Sequence, residues 1–199
     1  PLGIGCAIYL TEYAKRGNKV VEVIRLAAET LSGIPSIVYG LFGMLFFVTA
    51  LQWKNSILAG SCTLAIMVLP LIIRSTEEAL KSVPDSYREA SFGLGAGKLR
   101  TVVRVVLPPA MPGIVAGVIL AVGRIVGETA ALIYTAGTVA KITANPMESA
   151  RTLAVHMYAL SSEGLHTSEA FATGVVLLLV VLMLNATSNA IAKRITKGK

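Results

Sequence analysis

Four long uncharged segments dominate the hydrophobic pattern of this 199-residue chain; they cover residues 30–53, 55–73, 105–123 and 170–192. Each is close to the roughly 20 residues that a helix needs to cross the hydrocarbon of a bilayer. None alternates with the two-residue period of a barrel strand, and backbone amides in hydrocarbon need internal partners. The pattern therefore predicts an all-α fold, a polytopic transmembrane helix bundle with about four full spans.

Composition and the first residues extend this interpretation. Hydrophobic residues make up 54% of the chain and charged residues 15%, and the mean hydropathy is +0.71. Residues 1–10 are apolar but only about half the length of a span, so we expect them to be the end of a fifth helix in an N-terminally truncated chain. A signal peptide is the competing interpretation, but no initiator Met or basic leader is present. We expect residues 1–199 to form a single transmembrane domain.

Basic residues predict the orientation, because Lys and Arg in short flanking loops stay on the cytoplasmic side of a membrane. Most of the eighteen Lys and Arg residues fall in three groups. The group before the first span is Lys15, Arg16, Lys19 and Arg25; the group between the second and third spans is Arg74, Lys81, Arg88, Lys98, Arg100 and Arg104; the group at the end of the chain is Lys193, Arg194, Lys197 and Lys199. This places residues 77–109 and the C-terminus in the cytoplasm. The net charge of +7 is divided by membrane side and is not interleaved with stacking aromatics, which argues against a nucleic-acid partner.

The cytoplasmic loop of residues 77–109 has its own internal pattern. Pro84 and Asp85 are typical of a helix start, and apolar positions then recur at helical spacing. Three alternate glycines at 93, 95 and 97 predict a sharp turn. A second helix over 98–106 should end at Leu107, Pro108 and Pro109, because proline removes a helical hydrogen bond. The loop is thus predicted to be a helix-turn-helix lying off the membrane.

Two charged residues, Arg124 and Glu128, interrupt the apolar run of residues 114–133. Charges at membrane depth are costly unless they are paired or face water, so both are functional candidates. At spacing i and i+4 they share a helix face, where they can form an ion pair. The planar guanidinium offers paired donors to a tetrahedral oxyanion, and Glu128 would neutralise it when no anion is bound. The alternative is a structural ion pair that ties two helices together.

The cytoplasmic loop resembles the EAA loop of bacterial ABC importer permeases. That motif is Glu-Ala-Ala, three residues, Gly, nine residues, Ile, any residue, Leu-Pro; the chain has Glu89, Ala90, Ser91, Gly95, Leu107 and Pro108 at these positions and departs from it at Ser91 and Val105. The resemblance implies a coupling helix that docks into a cleft of an ATPase subunit, with Glu89 anchoring the contact and Gly95 permitting the turn.

The chain lacks a Gly-rich phosphate loop ending in Lys-Ser/Thr. We therefore expect no ATPase activity, no catalytic residue and no metal site in this chain. It should hold no cofactor of its own, because ATP and Mg would be bound by the partner ATPase.

A second resemblance concerns the substrate. The run of residues 123–129, which contains Arg124, Glu128 and Thr129, resembles the Gly-Arg-Ala-x-Gly-Glu-Thr signature of phosphate-specific ABC permeases, with Ile125 in place of Ala. Residues 1–14 and 33–43 resemble further stretches of the A-type permease subunit of that branch. The resemblance implies the MetI-like core of type I ABC importers and a substrate path that includes Arg124, Glu128 and Thr129.

The same resemblance implies the partners and the location. The partners would be a homologous C-type permease subunit, an ATP-binding cassette ATPase dimer, an extracytoplasmic phosphate-binding protein and membrane lipid. The location would be the plasma (inner) membrane of a bacterium or archaeon. The expected function is ATP-driven import of inorganic phosphate. A permease for another oxyanion or a phosphonate, or an ATPase-independent carrier or channel, remain the alternatives, whereas His-Glu-x-x-His and Gly-x-Ser-x-Gly, the motifs of an embedded enzyme, do not occur.

Overall fold

The structure, a computed structural model, describes residues 1–15, 17–164 and 166–197, without the side chains of 191 and 193–197. The described residues form helices and no strand, which confirms the all-α prediction. The helices are α1 (Leu2–Ile8), α2 (Lys19–Ser32), α3 (Ser36–Gly43), α4 (Ile57–Lys81), α5 (Asp85–Gly93), α6 (Lys98–Thr101), α7 (Leu107–Val126), α8 (Ala130–Thr135), α9 (Leu153–Glu163) and α10 (Thr167–Lys197). Three π-helical segments, Tyr9–Tyr13, Met44–Ala50 and Val102–Val106, continue α1, α3 and α6 respectively.

Three helical stretches in the described residues are long and apolar enough to cross a membrane: Ile57–Lys81, Lys98–Val126 and Thr167–Ala190. The predicted span at 30–53 is different, because α2 ends at Ser32 and α3 begins at Ser36. Pro35 has φ −59° and ψ 142°, and proline also disfavours helical backbone at the residue before it. Pro35 therefore separates two helices instead of kinking one, and the number of spans is three, or four if the broken pair counts as one.

The prolines after residue 106 do not end a helix, contrary to prediction. The helix runs without a break from Lys98 to Val126 and passes Pro108 and Pro109. The π-helical turn of Val102–Val106 lies directly before them, and the amide of Leu107 bonds the carbonyl of Val102, five residues back. A wider turn relieves the clash between a proline ring and the preceding turn, so the helix continues.

Contacts between Cα atoms divide the chain into two compact units. The first contains residues 1–32, 69–121 and the described part of 188–199. Its larger core joins α4 to α7 through buried apolar side chains that include Leu80, Val106 and Ile114. A second cluster, containing Leu10 and Val21, joins α1, α2 and α4. The single-domain organisation of the whole chain is not tested by this grouping and stays a prediction.

The second unit contains residues 33–68 and 122–187. Glycines let its helices approach closely: a Cβ added to Gly40 of α3 would lie 2.8 Å from the backbone Cα of Ala131 in α8. A loop after α8 is folded back on itself, with Gly137 at φ +89° and the Ser149 hydroxyl donating to the Ala136 carbonyl at 2.8 Å.

Some positions used for the topology prediction are not described. Arg16 and Lys199 lie outside the described residues, and nothing is described of the side chains of Lys193, Arg194 and Lys197. The cytoplasmic position of the C-terminus stays a prediction.

Candidate functional site

The predicted coupling region lies in the first unit and begins with α5. Pro84 precedes the helix and Asp85 occupies its first turn, which confirms the predicted start. The chain then turns at Gly95, whose φ of +79° is in the left-handed region that glycine adopts without strain. Lys98 begins the next helix, so the predicted helix-turn-helix is present, although its second helix is continuous with α7.

A buried hydrogen bond fixes the two arms of this turn. The hydroxyls of Ser91 in α5 and Thr101 in α6 lie 2.8 Å apart and both residues are buried. Ser91, the position that departs from the EAA pattern, therefore has a structural partner. Glu89 and Ala90, its neighbours in the motif, are exposed. The face of α5 that carries Glu89 is open to a partner protein.

Several apolar side chains of this region are exposed. Leu94 is 89% exposed and Leu99 is 68% exposed, and Tyr87 and Phe92 are also exposed. Leu107 and Pro108, the last two motif positions, are half-buried in the long helix that follows. The predicted coupling region thus combines an internally fixed turn with exposed apolar side chains.

Sequence reasoning missed one strong contact of α5. Arg88 donates to the Glu12 carboxylate through both Nε and Nη2, the shortest distance being 2.7 Å from Nη2 to Oε1, and Glu12 lies in the π-helical segment after α1. Their side chains are only 15% and 7% exposed. The hydrogen bond to Glu12 raises the pKa of Arg88 above its ordinary value. The two residues are 76 positions apart, and no spacing signal connects them.

The second candidate site, in the second unit, differs from its prediction. α7 ends at Val126 and α8 begins at Ala130, so Glu128 lies between two helices. The assumed i, i+4 face does not exist. No ion pair joins Arg124 to Glu128, both of which the structure describes. The physical reason is the glycine at 127, which ends the helical pattern early.

Glu128 has a different partner. Its side chain is buried, with 8% exposed, and its Oε1 accepts a hydrogen bond of 3.2 Å from the amide of Ala131 in the first turn of α8. The carboxylate accepts a hydrogen bond from an amide that has no partner within the helix. Its negative charge also interacts favourably with the positive end of the helix dipole. Glu128 therefore caps α8, a role that the predicted ion pair did not include.

Arg124 and Thr129 are more accessible. Arg124 is exposed in the last turn of α7 and forms no ion pair or side-chain hydrogen bond with the described residues, although the buried Tyr39 of α3 lies within electrostatic range. Thr129 is half-buried and borders a cavity of about 560 Å³. Residues of α9 and α10 complete this cavity, among them Met157 and Phe171, and its lining is mostly apolar.

An ion pair stabilises the loop between α8 and α9 in the same unit. Lys141 Nζ lies 2.6 Å from Glu148 Oε2, and the Thr143 hydroxyl donates to the same oxygen at 2.7 Å. The hydrogen bond from Lys141, followed by that from Thr143, lowers the pKa of Glu148 below its ordinary value. Polar contacts to the Glu148 carboxylate thus join residues 141, 143 and 148 of this loop.

Comparison with known proteins places these features in context. A family model described as "Binding-protein-dependent transport system inner membrane component" matches residues 1–198. The chain is 39% identical to the "Probable ABC transporter permease protein YqgI" of Bacillus subtilis, covering 99% of this chain and 72% of that protein. It is 42% identical to the "Phosphate transport system permease protein PstA 1" of Mycobacterium tuberculosis, over 69% of this chain and 44% of that protein.

A further relative and one solved structure complete the comparison. The "Phosphate transport system permease protein PstA" of Yersinia pestis is 42% identical over 68% of this chain and 45% of its own length, so this chain spans less than half of these PstA relatives. A structure of the MetNI methionine ABC transporter in an inward-facing conformation matches 98% of this chain and 87% of that chain with a TM-score of 0.79 at 20% identity. The predicted MetI-like fold is confirmed.

Proposed function

Because this chain belongs to the family of binding-protein-dependent transport system inner membrane components, we propose that it is the transmembrane permease subunit of an ATP-driven importer of inorganic phosphate. The relatives named as phosphate transport system permeases support the choice of phosphate. Members of the family act as permeases and not as enzymes, so the energy would come from a partner ATPase that binds ATP and Mg.

The observation that carries the choice of substrate is the exposed guanidinium of Arg124. It lies at the end of a membrane-spanning helix and forms no ion pair with the described residues. Glu128, the nearest carboxylate in sequence, is already occupied by the amide of Ala131. A guanidinium that is not neutralised can offer two parallel donors to two oxygens of a phosphate ion. Arg124 would bind the anion transiently, with Thr129 as a hydroxyl donor near it.

Energy would enter through the coupling region. Glu89 and the exposed apolar side chains around it form the surface that would dock on the ATPase dimer, while the Ser91–Thr101 hydrogen bond and the turn at Gly95 hold its shape. The long helix through Leu107 and Pro108 continues from this turn into the membrane. The remaining partners would be a homologous C-type permease, an extracytoplasmic phosphate-binding protein and membrane lipid.

The location follows from the same family and from the long apolar helices. The permease would be a multi-pass protein of the plasma (inner) membrane, with its coupling region and C-terminus in the cytoplasm. Most of its basic residues then lie on the cytoplasmic side, where the positive-inside rule requires them.

The test is uptake of radiolabelled phosphate by cells that carry the full-length permease with its partner subunits. Arg124→Gln is expected to abolish uptake, and Arg124→Lys, which keeps the charge but loses the paired donors, is expected to retain a small part of it. Arg74→Gln is the matched control, because Arg74 is an exposed arginine of α4 whose partners are exposed too. Each complex is first checked for assembly and ATP binding.

The outcomes separate the alternatives. Competition by unlabelled phosphonate or sulfate stronger than by phosphate would indicate a different oxyanion as the substrate. Uptake that continues with an ATPase subunit unable to hydrolyse ATP would indicate a carrier or channel. Normal uptake by Arg124→Gln would remove Arg124 from the substrate path.

A further inference from the structure

The Glu12–Arg88 ion pair joins two parts of the first unit that are far apart in sequence. The guanidinium approaches both carboxylate oxygens, with Nε at 3.2 Å from each and Nη2 at 2.7 Å from Oε1. Both side chains are largely buried. Arg88 Nη1 also lies 3.2 Å from Oδ1 of the exposed Asp85 in its own helix, so Glu12 is the carboxylate that joins α5 to another segment. Removing one partner of a buried pair is costly, which favours keeping the two segments together.

The same guanidinium also binds the end of α4. Its Nη2 donates to the carbonyl of Leu80 at 2.9 Å and its Nη1 donates to the carbonyl of Val83 at 2.8 Å. Leu80 lies in the last turn of α4 and Val83 follows the helix, and the Leu80 carbonyl also accepts from the Val83 amide at 3.3 Å. Arg88 therefore connects α5 to the last turn of α4 and to Glu12 at one point.

The segment that carries Glu12 has an unusual backbone. Tyr9–Tyr13 is π-helical, and the amide of Ala14 bonds the carbonyl of Tyr9, five residues back. A π-helical turn inserts one extra residue into a helix and is often found where function needs a particular side-chain direction. Here it places two adjacent residues toward the coupling region, because Lys98 of α6 lies over the ring of Tyr13 at 5.3 Å.

A third element, α2, contacts the same segment. Arg25 of α2 donates to the carbonyl of Leu10 at 3.1 Å and to the carboxylate of Glu77 in α4, also at 3.1 Å. The π-helical segment thus has direct polar or cation–π contacts with α2, α5 and α6. A cavity of about 570 Å³ borders it and is lined by Glu12, Arg25 and Arg88 among others. Polar contacts hold the π-helical segment, and the cavity on one side of it leaves space into which it can move.

We infer that the π-helical segment Tyr9–Tyr13 is the joint through which a displacement of the coupling helix α5 reaches α1 and α4, with Glu12 and Arg88 as the positioning residues that hold it. The inference rests on the proposed function in one respect, since it takes α5 as the helix that docks on the ATPase. It does not depend on which substrate is transported. Glu12 and Arg88 act through other groups and touch no substrate.

The test measures amide hydrogen exchange in the full-length permease, assembled with its partner subunits, with and without ATP and vanadate. In the wild type, nucleotide is expected to change the rate of amide hydrogen exchange both in α5 and in residues 2–13. In Glu12→Gln, which keeps the side-chain shape, the change in α5 is expected to persist and the change in residues 2–13 to be lost. Arg88→Lys, which cannot reach Glu12 and the carbonyls of Leu80 and Val83 at once, is expected to give the same loss in part.

A matched control removes an ion pair that does not join elements. Glu78→Gln breaks an exposed i, i+4 contact of 3.1 Å with Arg74 within α4, and it should leave the response of residues 2–13 unchanged. Phosphate uptake is measured on the same preparations.

The outcomes distinguish the joint from the proposed function. If residues 2–13 do not respond to nucleotide in the wild type, or respond equally in Glu12→Gln, there is no joint at this segment. If α5 itself does not respond in the wild type, the docking role and the joint both fail. If the exchange results are as expected while the wild type takes up no phosphate, the joint stands and only the substrate is wrong.

Discussion

Substituting Gly40 by Ala tests how closely α3 and α8 must approach. A Cβ at this position would lie 2.8 Å from the Cα of Ala131, 3.1 Å from the carbonyl oxygen of Ala130 and 3.2 Å from that of Ala131. All three are backbone atoms, so no side chain can rotate away. Because optimal contacts between carbon atoms are about 3.5–4.0 Å, the two helices would have to separate by roughly 0.7 Å or more.

The magnitude follows from two opposing effects. Overpacking of a well-packed site costs about 1–3 kcal/mol, and a rigid backbone contact places Gly40→Ala near the upper end of that range. Replacing glycine by alanine inside a helix returns about 1 kcal/mol. We therefore expect a net loss of about 2 kcal/mol in the free energy of unfolding. Gly5→Ala in α1 is the control, since no atom lies within 4 Å of its added Cβ, and it should be neutral or stabilising by up to about 1 kcal/mol.

The assay is denaturant unfolding of the purified full-length permease in detergent micelles, with stability taken from the midpoint and slope of the transition. The wild type and both glycine variants are compared under identical conditions. The reasoning is refuted if Gly40→Ala is as stable as the wild type, or if Gly5→Ala is destabilised by as much. Either result would mean that the helices separate at no cost or that any added methyl group disturbs the bundle.

Three further predictions concern the loops. Gly95→Ala forces alanine into a φ of +79° and should cost about 1 kcal/mol or more of unfolding free energy, whereas Gly93→Ala, with open space around its Cβ, should cost none. Thr101→Val should cost about 1–3 kcal/mol by leaving the buried Ser91 hydroxyl unpaired, and Ser91→Ala should cost less, because the Thr101 hydroxyl still bonds the Gly97 carbonyl at 3.3 Å; the double variant should cost less than the sum of the two. The pKa of Glu148 is lowered in the folded state, so its contribution to loop stability should be intact above pH 4.5 and be lost as pH falls through the lowered value; an NMR titration of its carboxyl that gave 4.5 or higher would contradict this.

Local signals account for what the sequence predicted well. The start of α5 after Pro84 depends on the fixed φ of proline and on a negative charge in the first turn, both of which act within a few residues. The turn at Gly95 depends on the backbone freedom of one glycine. The membrane-spanning stretches depend on uninterrupted apolar length. Each of these features follows from the chain near it, so a single sequence is enough.

Two of the incorrect predictions share a cause: a continuous run of apolar residues does not show where a proline or a glycine interrupts the helix. Residues 30–53 are continuously uncharged, yet Pro35 separates two helices there, and Gly127 separates Arg124 from Glu128 in the same way. The opposite error concerned Pro108, where a π-helical turn lets the helix continue. The Glu12–Arg88 pair is of another kind, since tertiary packing joins residues 76 positions apart and no local rule can indicate it.

The length of the last spanning helix, α10, has a consequence for the choice of membrane. Its spanning stretch Thr167–Ala190 has 24 residues, and only 6% of its most apolar window is buried by the rest of the chain. At 1.5 Å per residue this stretch is roughly 36 Å long, against about 30 Å for the hydrocarbon of an average bilayer. Where neither this chain nor the proposed C-type permease packs against it, α10 would adjust its tilt to the surrounding lipid, so the acyl-chain length of the bilayer should affect this helix more than α4 or α7.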